Sequence, residues 1–280
     1  MIIHSDWHVH SEASYDSTLS LADIDAAARL LNFENVGITD HVNFNDEKFL
    51  SDLRLSAKSV NEFRLSHPSF ILGVELTPIE KPLFDHLKSG GTRESYAAPP
   101  TDTPYAIELA ATKAELISLG VRYAIGASHW RVDCPDARSR TELEGCIREW
   151  YRQQLFLACD ERVTILGHPW YHGKGLWYGD FSVIPRSMNE EIAAALKENG
   201  KCVECNSHFF RSSLTSEKFR CQYAEFLREL FEMGIPVTYG SDSHNKYKTD
   251  APADVEKYLT QVGFQYGELA SISDIPLWNA

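Results

Sequence analysis

Ile2-Ile3-His4-Ser5-Asp6-Trp7-His8-Val9-His10 opens the chain with an apolar run that closes on two histidines. The same design returns along the sequence. Val36-Gly37-Ile38-Thr39-Asp40-His41, Phe70-Ile71-Leu72-Gly73-Val74-Glu75 and Tyr123-Ala124-Ile125-Gly126-Ala127-Ser128-His129 each end in a side chain that can ligate a metal. Val163-Thr164-Ile165-Leu166-Gly167-His168 and Val237-Thr238-Tyr239-Gly240-Ser241-Asp242-Ser243-His244 complete the series. One histidine at the end of one strand is more often a hydrogen-bonded structural residue than a ligand. Imidazoles and carboxylates ending strand after strand point to a multi-metal centre at one rim of a barrel.

Helical patterns separate these runs. Ser20 is suited to cap a helix over 21–33, in which Leu21, Ile24, Ala28 and Leu31 share a face. Further helices are expected over 47–66, 105–119 and 140–159. Those over 187–199 and 216–233 stop at Gly200 and Gly234, and the last runs over 254–261. Strands at about 2–9, 35–40, 70–76, 122–128, 163–167, 201–206 and 235–241 make seven βα units. Strands separated by helices pair in parallel through right-handed crossovers. The expected fold is therefore α/β, a distorted (β/α)7 barrel resembling a TIM barrel, with its active site at the C-terminal ends of the strands. An open doubly wound sheet concentrates its site at one switch point, whereas here almost every strand supplies a candidate ligand. No linker, repeat or low-complexity tract divides residues 1–280, so one barrel domain is expected. Residues 79–104, rich in proline and glycine, read as an irregular insertion on the active rim, a lid or specificity loop.

The chain has 280 residues and a net charge of -13, which argues against a nucleic-acid backbone or an anionic membrane as partner. No apolar run is long enough to span a bilayer, and the N-terminus does not read as a secretory signal. The six cysteines lack the density of a disulfide scaffold. Cys202 and Cys205 form a single C-x-x-C with no second pair, so they read as small buried strand residues, and reduced thiols place the protein in the cytoplasm. The C-terminal stretch 264–280 is apolar enough to pack on the barrel bottom or to join a second copy of the chain.

His8 and His10 point the same way from an extended strand, because side chains there repeat every second residue. Neutral imidazoles beside carboxylates suit zinc, iron or manganese in an open, hydrolytic site. Glu75 and Asp242 each offer two oxygens and can bridge neighbouring ions. Six of the 11 histidines fall in the pattern, a concentration that chance does not explain. Asp40, next to His41, reads as a partner that orients it.

The ordered set His8-Val9-His10, Thr39-Asp40-His41, Gly73-Val74-Glu75, Ser128-His129, Gly167-His168-Pro169 and Gly240-Ser241-Asp242-Ser243-His244 resembles the PHP (polymerase and histidinol phosphatase) family, nearest its histidinol-phosphatase-like phosphoesterases. That resemblance implies a seven-stranded barrel with a trinuclear centre of two to three divalent Zn, Mn or Fe ions. It implies that His8, His10, Glu75 and Asp242 bind the first ion, and that Glu75, His129 and His168 bind the second. His41 and His244 would hold the third with Asp16, or with Glu12 in reserve, because the loop 10–16 departs from the family's common Ser-Asp-Gly ending. Arg131 and Arg211 would contact substrate phosphate, as similar arginines do in that branch. His208 and Asp16 are candidates to protonate the leaving alcohol, alongside Asp242 as a catalytic carboxylate; His172 is a further rim histidine. Trp130 and Trp170, where the family often has other residues, would wall the cleft.

The implied function is a metal-dependent phosphoesterase that hydrolyses a small phosphate monoester such as histidinol phosphate by attack of a metal-bridging hydroxide. An amide or lactone hydrolase using the same ions is the alternative, since metal-bearing barrels support both chemistries. A non-enzymatic accessory module is the third reading. The partner expected is a small phosphorylated molecule, with neither nucleic acid nor membrane.

Overall fold

The computed structural model describes residues 2–129, 139–171 and 177–279. In chain order the elements are β1 (Ser5–Val9), α1 (Leu21–Leu31), β2 (Asn35–Ile38), β3 (His41–Val42), α2 (Glu47–Phe63) and β4 (Phe70–Leu76). Then come β5 (Ile79–Glu80), α3 (Lys81–Lys88), β6 (Ile107–Glu108), α4 (Lys113–Ser118), β7 (Tyr123–Gly126) and α5 (Arg140–Cys159). The rest are β8 (Ile165–Leu166), α6 (Arg186–Glu198), β9 (Cys202–Asn206), α7 (Ser207–Arg211), α8 (Glu217–Glu232), β10 (Val237–Gly240) and α9 (Ala251–Gln261).

Seven strands pair in the order β1-β2-β4-β7-β8-β9-β10, and β3 continues the ladder on β4 beyond β2. Every pairing in this sheet is parallel. The two ends of the path meet across a seam just past β10. There His10 N–H donates to Ser243 O at 3.0 Å and Asp242 N–H donates to His8 O at 2.8 Å. The sheet is thus a nearly closed seven-stranded barrel ringed by helices, as the βα count implies.

Alternation sorts each strand onto two buried faces. On β4, Phe70, Leu72, Val74 and Leu76 meet the helices in the outer core. Ile71 points into the barrel with Trp7, Tyr123, Ile125, Ile165 and Cys202, and Ala270 and Ile275 join this inner cluster. Ile71, Gly73 and Glu75 therefore share the inward face, with the carboxylate at the upper rim. Tyr123 fills the barrel's middle: its hydroxyl donates to Trp7 O at 2.7 Å. A Cβ on Gly37 would stand 1.7 Å from that hydroxyl, and one on Gly73 would stand 2.6 Å from ring atom Cζ. In β1 the register slips between Asp6 and Val9, so that Trp7 and His8 together oppose Gly37. This bulge lets Trp7 enter the inner cluster while His8 and His10 still face the rim.

Several expectations need correcting. The helix expected over 105–119 starts only at Lys113, where Thr112 and Glu115 form a capping box; Ile107–Glu108 is strand β6. The insertion is not wholly irregular: β5 and β6 pair antiparallel, and α3 lies between them in sequence. It borders a cleft of about 930 Å³ lined by Lys48, Lys81, Arg93 and Arg162 among others, but by none of the nine expected metal ligands. Trp170 is fully buried and packs edge-on against Trp177 at 6.2 Å, in the core and not along the cleft. The C-terminal stretch lies across the barrel bottom, where Trp7 Nε1–H donates to Ala270 O at 3.3 Å and Arg122 Nε–H to Trp278 O at 2.7 Å. Cys159, Cys202, Cys205 and Cys221 are free thiols, whereas Cys146 is disulfide-bonded, which departs from the expectation of reduced thiols throughout. Among the described residues no helix is long and apolar enough to cross a membrane.

Candidate metal centre

All nine side chains expected as ligands converge at the rim, arranged around Glu75. Its Oε1 lies 3.0 Å from His168 Nε2 and 3.2 Å from His129 Nε2. Its Oε2 lies 2.8 Å from His41 Nδ1, 3.3 Å from His8 Nε2 and 3.4 Å from His10 Nε2. Asp242 Oδ1 stands 3.3 Å from His10 Nε2 and 3.7 Å from His8 Nε2. Asp16 Oδ2 stands 3.3 Å from His41 Nε2 and 3.4 Å from His244 Nε2. Glu12, by contrast, is exposed, so the loop 10–16 presents Asp16 to the cluster. Three overlapping groups could each hold an ion: His8, His10 and Glu75; His41, Glu75 and His129; and His10, Asp16, His41 and His244. Here His10 stands nearer the Asp16 group than the family resemblance implies, with its ring stacked between His41 at 4.3 Å and His244 at 4.1 Å.

This donor set fits divalent transition metals. Glu75 Oε2 is buried with three imidazole nitrogens around it, yet makes no hydrogen bond. His8 Nε2 and His10 Nε2 approach to 3.1 Å. Lone pairs aimed at a shared point, not at one another, produce such contacts. Among the described residues the ion pairs made by Asp16, Glu75 and Asp242 are all to imidazoles, and no described lysine or arginine neutralises this acidic centre. Burial opposes charge on Glu75, but His41, His129 and His8 hold its carboxyl well below the usual range. Asp242 behaves alike: burial opposes its charge, and His8 and His10 hold it low. Burial, aided by His41, pushes the His10 imidazole down to about 3, which leaves a lone pair free for a cation.

The backbone is strained at this rim. His168 (φ 22°), Trp170 (φ 66°) and Asp242 (φ 52°) lie in the left-handed region, a conformation that costs a non-glycine residue roughly 1–3 kcal/mol. Their amides are held: His168 N–H donates to Glu204 Oε2, and Trp170 N–H donates to Gln154 Oε1 at 2.9 Å.

Other candidates fall differently. Asp40 does not orient His41; its carboxylate accepts from Ser11 N–H at 2.6 Å, Ser11 Oγ–H at 2.7 Å and Ser56 Oγ–H at 2.6 Å, tying the loop after β1 to α2. His41 sits opposite Glu75 through the β3–β4 register. His208 lies on α7, edge-on to Tyr171 at 5.2 Å, and Tyr171 is in turn edge-on to His168 at 5.2 Å. Arg211 is committed elsewhere: its guanidinium donates to Asp254 Oδ2 at 2.5 Å and to Asp250 Oδ2 at 3.0 Å. A substrate contact would require breaking both bonds. Arg131, with Trp130 and His172, lies outside the described residues. Sequence reading missed Tyr171, Thr77 and Glu204. Thr77 shares a hydrogen bond with His129 Nδ1 at 2.8 Å and donates to Asn43 Oδ1 at 2.5 Å. Its position two residues past Glu75, on the same strand face, is the signal that could have found it.

The PHP domain family matches residues 6–208, most of the chain. The chain belongs to that family. A protein of Acetivibrio thermocellus described as a probable phosphatase is 38% identical over 73 residues, 26% of this chain and 29% of the relative. The match thus spans about three tenths of the relative's length. In fold the PHP domain is similar to histidinol phosphate phosphatase from Lactococcus lactis subsp. lactis Il1403, solved with zinc, L-histidinol and phosphate. That likeness has a TM-score of 0.66 at 18% identity and covers 99% of each chain.

Proposed function

We propose that this PHP domain protein is a metal-dependent phosphoesterase acting on a small phosphate monoester, as histidinol phosphatases do. The observation that carries the reading is the closure of six imidazoles and two aspartates about Glu75 at the mouth of the barrel. Divalent ions held there supply Lewis acidity and a water that ionises near neutral pH.

The chain's own residues do the rest. Glu75, buried and held as a carboxylate, fixes the spacing between the donor groups. Asp242 and Asp16 each face a pair of imidazoles, and Tyr171 lies edge-on to His168 with His208 next to it. Tyr171 offers an aromatic wall against which the organic part of a substrate can lie. His208, edge-on to that ring, is one candidate to hold a proton for the departing alcohol, and Asp16 is the other. A cytoplasmic location belongs to the same proposal; the four free thiols fit it and the disulfide-bonded Cys146 does not.

Metal content measured with phosphate release over a panel of phosphomonoesters, with manganese or zinc added, tests the reading. Two to three ions per chain and release that His10→Ala abolishes are expected. Ions without release from any ester would redirect the assignment to an amide or lactone hydrolase. Less than one ion per chain after reconstitution would remove its basis.

A further inference from the structure

β9 carries none of the nine expected ligands, yet its inward face holds three of them. Glu204 and Asn206 stand two residues apart on that face, both buried. Glu204 Oε1 lies 2.7 Å from His8 Nδ1. A carboxylate can only accept, so the imidazole carries its proton on Nδ1 and turns Nε2 toward Glu75. Glu204 Oε2 accepts the backbone N–H of His168, whose φ of 22° no ordinary loop would keep. Asn206 Nδ2–H donates to Glu204 Oε1 at 3.3 Å and to Asp242 Oδ2 at 3.2 Å. Across the next strand Gly240 leaves the room this needs: a Cβ there would stand 1.8 Å from Glu204 Oε1.

We infer that Glu204 is a positioning residue that sets the two halves of the metal centre at once, fixing the His8 ring with one oxygen and the strained His168 backbone with the other. His8 belongs with the His10 group, and His168 with the opposite oxygen of Glu75. A single buried carboxylate thus ties ligands from two strands, β1 and the end of β8, through a third. The demand is for two acceptors: both groups facing Glu204 are N–H donors, and Asn206 adds another. Glutamine has the same shape but one acceptor and one donor, so one N–H must then face an NH2.

This inference rests on the metal-centre reading. The experiment is zinc affinity of the purified protein, by competition against a chromophoric chelator, with the melting temperature of the metal-free protein alongside. Glu204→Gln should weaken zinc binding by about 10–100-fold, the usual effect of losing such a partner, while the metal-free melting temperature stays near wild type. Zinc affinity within twofold of wild type in a folded Glu204→Gln protein would overturn the inference. If that variant does not fold, Gly240→Ala asks the same question, because the added methyl must displace the carboxylate that remains; unchanged affinity there would also overturn it. A crystal structure of the zinc-loaded wild type needs no variant: His8 should ligate through Nε2 with Nδ1 on Glu204, and ligation through Nδ1 would refute it. Wild-type protein that binds zinc but hydrolyses no ester would sink the phosphoesterase proposal and leave this one standing.

Discussion

Tyr123 and two glycines offer a sharp test of how the barrel interior is packed. A Cβ added at Gly37 would meet Tyr123 Oη at 1.7 Å, ring atom Cζ at 2.9 Å and Trp7 O at 3.0 Å. One added at Gly73 would meet Cζ at 2.6 Å, Thr39 Cγ2 at 2.7 Å and Cε1 at 2.7 Å. Both variants overpack a filled interior and should cost about 1–3 kcal/mol each. Tyr123→Phe alone deletes the bond to Trp7 O and should cost about 1–2 kcal/mol. The combinations separate the two sites. Removing Oη removes the worst contact of Gly37→Ala, so that pair should be less damaging than the sum of its parts by at least about 1 kcal/mol. Removing Oη leaves every close contact of Gly73→Ala in place, so that pair should add to within about 0.5 kcal/mol. Urea unfolding in excess chelator reads the three single variants and both doubles without a contribution from bound metal. Additivity at Gly37, or equal rescue at both glycines, would refute the placement of the Tyr123 hydroxyl.

Other expectations follow from the same geometry. Asp16→Asn should lower the bound metal by one ion per chain in elemental analysis, because Asp16 faces both His41 and His244, whereas Glu12→Gln, on an exposed side chain, should leave the count unchanged. Stripping the metal should lower the melting temperature, since free metal at 100 times its Kd stabilises by about 2.7 kcal/mol; calorimetry with and without chelator measures this. Lys201 is buried against the carbonyls of Asp160 and Val163, and burial pushes its ammonium down to about 8. Between about pH 8 and the ordinary lysine value the unfolded chain binds more protons than the folded one, so this group makes stability rise with pH across that window. Urea midpoints for wild type minus Lys201→Met should therefore climb from pH 8 to 10; a flat difference would contradict the burial.

The sequence carried much of this protein in its periodicities. Runs of alternating faces on β4 and β9, and capped helical stretches such as 140–159, fixed seven parallel units because each local pattern agreed with the global one. Where local signals were weak the boundaries moved: Tyr105 to Thr112 lacks the face of a helix and became β6 with its flanks. Asp40 and Trp170 looked functional from their neighbours in sequence. Ser56, sixteen residues after Asp40, and Asn189, nineteen after Trp170, proved to be partners, and no spacing rule reports such contacts.

By itself, then, the sequence determined the barrel and the ligand types, since hydrophobic period and strand-end position are properties of short segments. Only the tertiary structure chose Asp16 over Glu12, drew Arg211 onto α9 and made Glu204 the support of His8 and His168. Those choices depend on which donor stands within about 3 Å of which acceptor. Such distances arise between residues as far apart in the chain as His8 and Glu204, separated by 196 positions, and are set only when the barrel closes.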